Sequence, residues 1–136
     1  LQVTVTLSRI ASAMFLFCDH LLWLHSHRLV SIQTKYWADT ADRCWLYSII
    51  LALVKDWIYL NNILQKTAMS SANTSLVTLL RSNMHLTVDI VKNLADLMIP
   101  LNSLGHLKLN PQLVSFCGIV SSLGALLQIV NPNLRL

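Results

Sequence analysis

The sequence is short of charge. Only 12% of its 136 residues are Asp, Glu, Lys or Arg, about half the roughly 25% typical of soluble domains. Hydrophobic residues make up 54%, which excludes disorder, because so apolar a chain can bury enough surface to offset its ordering entropy. Glycine is scarce too. Gly105, Gly118 and Gly124 begin neither a GxGxxG turn nor a Walker-type phosphate loop. No Gly-x-Ser-x-Gly elbow exposes a serine nucleophile. Cys18, Cys44 and Cys117 are odd in number and match no zinc or redox spacing. They read as buried, reduced thiols rather than a disulfide framework.

The basic residues outnumber the acidic ones and give a net charge of +4. They are spread singly from Arg9 to Arg135, so no nucleic-acid footprint forms. Weak attraction to anionic headgroups fits better. The start lacks the basic region of a cleavable signal peptide, and without one the Asn73-Thr74-Ser75 sequon reads as chance. Leu134-Arg135-Leu136 is not the Ser-Lys-Leu matrix address. Leu rather than Met at position 1 leads us to expect a fragment or a processed product.

What the sequence does have is one long uncharged stretch, Leu109 to Leu134, between Lys108 and Arg135. A hydrocarbon core about 30 Å thick takes about 20 helical residues. Asn110 is a good N-cap, Pro111 suits the first helical position, and Pro132 disfavours helix at Asn131. This stretch is expected to cross a membrane. Gly118, Ser121, Ser122 and Ala125 pair at steps of four and offer a smooth stripe for helix packing. Gln128 is expected near the headgroups or against another helix.

Three further helices are expected. Leu1, Val3, Val5 and Leu7 alternate with polar residues as a strand would, but a lone strand among membrane helices has no partner. The helix over Ser8–Leu24 is therefore extended backwards. It carries Asp19, a carboxylate that has to face a bundle interior, a groove or the headgroups. A second helix runs from Lys35 to about Leu64 and contains the interruption Lys55-Asp56. A third covers Leu76–Ile99, with Pro100 and Gly105 as breakers. On it His85, Asp89, Lys92 and Asp96 form a polar stripe. The stripe reads as a solvated salt-bridge row, with a polar face packed inside a bundle as the sharper alternative.

The expected fold is all-α: a membrane-associated helical bundle of about four helices, the C-terminal one transmembrane. It divides into a membrane-associated helical pair (1–65), a polar linker (66–75), and an amphipathic helix plus the terminal span (76–136). The intramembrane or interfacial polar residues are Asp19, Lys55, Asp56, Asp89, Lys92 and Asp96. No catalytic, cofactor or metal site is expected. Cys18, His20, His25 and His27 do not share one helix face, and no second cysteine pair completes a tetrahedral set. Asp19 and His20, adjacent on a helix, diverge and make no dyad.

Several stretches resemble the peroxin-11 family of peroxisomal membrane proteins. They are Phe15-Leu16-Phe17-Cys18-Asp19-His20-Leu21-Leu22-Trp23, Lys35-Tyr36-Trp37-Ala38 followed by Trp45 to Leu53, and Asp96-Leu97-Met98-Ile99-Pro100-Leu101 with Leu104-Gly105. Val114, Gly118-Ile119-Val120-Ser121-Ser122-Leu123 and Asn131-Pro132 with Leu134-Arg135-Leu136 complete the resemblance. It covers nearly the whole chain. It implies a non-enzymatic integral protein of the peroxisomal membrane that elongates the membrane ahead of division. By the same resemblance it would self-associate, recruit the dynamin-related fission GTPase through membrane adaptors, and keep both chain ends in the cytosol. Family proteins also carry an N-terminal region with a basic amphipathic helix, and this chain begins after the part corresponding to it. A pore for small metabolites is the alternative. It would need Asp19, Lys55, Asp56 and Asp96 to converge on an aqueous path.

Overall fold

The computed structural model describes residues 2–69 and 75–134. The helices are α1 (Gln2–Ser26), α2 (Thr34–Met69), α3 (Leu76–Ser82), α4 (Met84–Ser103) and α5 (Pro111–Val130), followed by a single 3₁₀ turn, Pro132–Leu134. The alternating start is helical from Gln2, and the Thr6 hydroxyl donates back to the Gln2 carbonyl at 2.9 Å. α2 runs five residues past its expected end, into the stretch read as linker. The rest of that stretch, 70–74, lies outside the described residues, as do Leu1, Arg135 and Leu136.

The third expected helix is divided in two. Asn83, at φ −115° and ψ 62°, leaves the helical region. The Asn83 amide and the Ser82 hydroxyl both donate to the Leu79 carbonyl, at 2.9 Å each. Side chains that compete for a helix carbonyl in this way favour a break. Pro100, expected to end the helix, lies inside α4 and is buried. Proline removes one bond to the preceding turn, but membrane-type helices tolerate it where neighbours pack around it. The stop falls instead at Gly105, with φ 77°. Gly105 N–H donates to Asn102 and His106 N–H to Leu101, the double bond of a Schellman cap. α1 ends the same way, with Arg28 in the left-handed position at φ 59°. α5 begins as expected, the Asn110 side chain accepting from Gln112 N–H at 3.4 Å.

α1, α2, α4 and α5 stand antiparallel in sequence order. Each packs on the next, and among the described residues α1 packs on neither α4 nor α5. The bundle is therefore an open row, with α3 attached to α4. Its inside is mixed: the small or polar Cys18, Ala41, Ser48, Asp56, Asp89, Asn93, Ser121 and Gly124 are buried, and so are the apolar Ile49, Leu79, Leu86 and Pro100. Its outside is apolar, with Phe17, Trp23, Trp57, Phe116 and Ile119 all more than half exposed. So much exposed apolar surface around buried Asp and Asn side chains is unlike a soluble domain, and it suits helices that lipid surrounds. α1 and α5 are long and apolar enough to cross a membrane.

Candidate functional site

The seam between α2, α4 and α5 holds a polar cluster. α2 supplies Lys55 and Asp56; α4 supplies Asp89, Lys92 and Asn93 from one face, at steps of three and four; α5 supplies Gln128. Lys55 Nζ lies 3.1 Å from Asp89 Oδ2 and 3.2 Å from Asp56 Oδ1. Asn93 Nδ2 donates to Asp56 Oδ2 at 2.8 Å. Gln128 Nε2 donates to Asp89 Oδ1, and Lys92 Nζ donates to Gln128 Oε1 at 3.4 Å. Lys92 Nζ is also 3.8 Å from Asp89 Oδ1.

Two lysines and two aspartates balance, so the cluster is neutral. Asp56 is 1% exposed, and its Oδ1 makes no hydrogen bond in good geometry. Its charge is met instead by the Lys55 ammonium. A buried carboxylate persists only when it is paired in this way. The Lys92 contact, at 3.8 Å, is longer than either Lys55 contact and contributes less.

Half of the α4 stripe is thus a packed polar face rather than a solvated row. Asp89 is buried and held from α2 and α5, while His85 is half-buried beside Tyr59, ring centroids 5.9 Å apart. Lys92 reaches Asp89 but makes no ion pair with Asp96, which is half-buried and outside the cluster. Asp19 is exposed on α1, outside the cluster. Of the six polar residues expected to share a role, four converge and two do not.

The small stripe of α5 faces α4. Ser121 is buried, Gly118 and Ala125 are half-buried, and Ser122, turned about 100° from Ser121, is exposed. Gly124, absent from the expected set, makes the closest approach. A Cβ there would sit 3.3 Å from Lys92 Cβ, whereas one at Gly118 would find only Ile99 Cδ1 at 3.9 Å. Cys117, Ser121, Gly124 and Gln128 follow each other at steps of four, three and four, and that period was the available signal.

A second polar contact joins α1 to α2. Ser12 Oγ lies 2.6 Å from Ser48 Oγ, and Ser8 Oγ donates to the Ser48 carbonyl at 3.1 Å. Phe15 stacks on Trp45 one turn further on, at 5.4 Å. At the other end of the row Ser103 donates to Asp42. His25 of α1 serves the turn that follows, its Nδ1 2.9 Å from the Val30 carbonyl oxygen, while His20 Nδ1 lies 2.6 Å from the Leu16 carbonyl oxygen within the helix. Among the described residues no three potential metal ligands come together.

These contacts hold helices to one another and present no nucleophile beside a base. Comparison with known proteins adds the biological context. The family model described as peroxisomal biogenesis factor 11 matches residues 1–130. The chain is 31% identical to peroxisomal membrane protein 11A of Rattus norvegicus, over 99% of its own length and 65% of the relative's. It is 27% identical to the Homo sapiens 11A protein, covering 66% of it, and 26% identical to the 11B protein of Bos taurus, covering 68%. The chain thus spans about two thirds of the length of these relatives. The alignments run to 161 and 175 positions, so the relatives carry internal residues without a counterpart here. No solved structure matches.

Proposed function

The chain belongs to the peroxisomal biogenesis factor 11 family, and we propose that it is an integral protein of the peroxisomal membrane that elongates the membrane ahead of organelle division. It acts by inserting, by associating with further copies, and by recruiting the dynamin-related fission GTPase through membrane adaptors. The observation that carries the reading is the open row, apolar outside and holding a buried charged cluster within, in a chain matched by the family model almost from end to end.

The helices support a placement across the bilayer. With the α5 span centred between Val120 and Ser121, Gln128 lies about 11 Å from the midplane. Half of the hydrocarbon core is about 15 Å, so the polar cluster sits just inside one surface. The antiparallel row brings the start of α1 and the end of α5 to that same surface, in keeping with both ends facing the cytosol. The edge helices α1 and α5 each have one helical neighbour and one open flank, which supports contact between copies.

The pore reading has less support. Lys55 and Asp56 are tied to Asp89 and Asn93, while Asp19 and Asp96 lie elsewhere. An open row of four helices encloses no channel by itself. The test is to express the tagged chain in cells lacking the endogenous protein and to measure peroxisome length and number. Longer peroxisomes and carbonate-resistant membrane association are expected. Unchanged length with the protein fully inserted would remove the elongation reading, and channel currents from the purified protein in planar bilayers would replace it.

A further inference from the structure

Between α1 and α2 the row carries a groove of about 440 Å³, inside the range of about 300–1,000 Å³ usual for ligand pockets. Val5, Leu51 and Ala52 line it, and its polar lining includes Ser8, Arg9 and Lys55. The two cations differ. Lys55 is held by Asp56 and Asp89. Arg9 is exposed, and among the described residues no carboxylate pairs with it. A guanidinium stays charged under all ordinary conditions, and its planar fork matches phosphate oxygens. Side chains on a helix lean towards its N-terminus. Arg9 therefore leans towards the membrane surface that holds the polar cluster, where headgroups lie.

We propose that this groove binds the phosphate end of one anionic glycerophospholipid, its phosphate on Arg9 where that side chain rises between Val5, Leu51 and Ala52, and its acyl chains running deeper along α1 and α2. The inference rests on the bilayer placement of α1 given above. A second copy of the chain fits less well. Copies in one membrane share an orientation, and the exposed carboxylate of α1, Asp19, lies ten residues from Arg9, about 15 Å away in depth. It could not reach a neighbour's Arg9 without a large vertical offset.

The experiment places the full chain in nanodiscs of dioleoylphosphatidylcholine and dioleoylphosphatidic acid, with retained lipid counted by native mass spectrometry. Arg9→Gln removes the charge; Ala52→Phe fills the groove and leaves the charge. Both are expected to lower phosphatidic acid retention about tenfold, Arg9→Gln by losing a charge-assisted contact and Ala52→Phe by keeping the phosphate from reaching it, while Arg81→Gln on α3 leaves it unchanged. Retention that survives both changes overturns the proposal. Loss with Arg9→Gln but not with Ala52→Phe also overturns it, because charge then acts without a groove. Unchanged lipid with weaker crosslinking between copies in Ala52→Phe would assign the groove to a second copy. Carbonate extraction run in parallel separates these outcomes from failure of the bilayer placement, since a wild-type chain released by carbonate removes α1 from the membrane and the ligand with it.

Discussion

Replacing Lys55 by Met tests the polar cluster most directly. The wild-type cluster balances two ammonium groups against two carboxylates. Lys55→Met leaves Asp56 with Asn93 alone and Asp89 with Gln128 and a lysine 3.8 Å away. The loss of an ordinary interhelical polar contact in a membrane protein costs about 0.6 kcal/mol on average. Leaving a buried charge without its partner costs roughly 3–5 kcal/mol, and at 1% exposure Asp56 has no water to turn to. The second effect dominates, so a loss of about 3 kcal/mol is expected. Lys55→Met/Asp56→Leu removes the orphaned charge and leaves Asp89 with Lys92 and Gln128. It should recover to within about 1–2 kcal/mol of wild type, the remainder coming from the unpaired Asn93 amide. Both variants can be unfolded reversibly with sodium dodecyl sulfate in mixed micelles and followed by far-ultraviolet circular dichroism. A single variant within about 0.6 kcal/mol of wild type, or a double variant no better than the single one, would refute the reasoning.

Gly124→Ala places a methyl 3.3 Å from Lys92 Cβ and should destabilise by about 1 kcal/mol through overpacking, while Gly118→Ala should be neutral within about 0.5 kcal/mol; the same micelle titration compares them. Arg28→Gly should stabilise by about 0.5–1 kcal/mol, since glycine adopts the left-handed position without the penalty of a Cβ, and a shift of the thermal midpoint in detergent would show it. Ile119→Arg puts a charge on the exposed centre of α5 and should cost about 2.5–3.5 kcal/mol on insertion; the protein should then move from the pellet to the supernatant after carbonate extraction.

The helices were legible because their signals are local. Asn110 and Pro111 state where α5 begins, and the run to Val130 states how long it is. The pairing of the helices was not legible. Asp89 and Asp96 look alike on the α4 stripe, and only the approach of Lys55 and Gln128 from two other helices makes one a buried anchor. The stop expected at Pro100 and found at Gly105 has a similar origin: packing around the ring outweighs one missing backbone bond. The break at Asn83 had a local cause, Ser-Asn side chains turning back on Leu79, that a periodic apolar pattern conceals. Gly124 was passed over because it stands three residues from Ser121 rather than four.

The open row also has a direction. Its two flanks are different surfaces, α1 bearing Arg9 and Asp19 and α5 bearing no formal charge. A copy that docks its α1 flank on a neighbour's α5 flank leaves the same pair of flanks free at the ends of the assembly. Such head-to-tail contacts do not terminate unless a rotation between copies closes them into a ring. A small constant tilt at each contact would then accumulate along the strip and bend the sheet of lipid that carries it. The length of the strip, and so the extent of the bent membrane, would be set by how many copies are present rather than by any one of them.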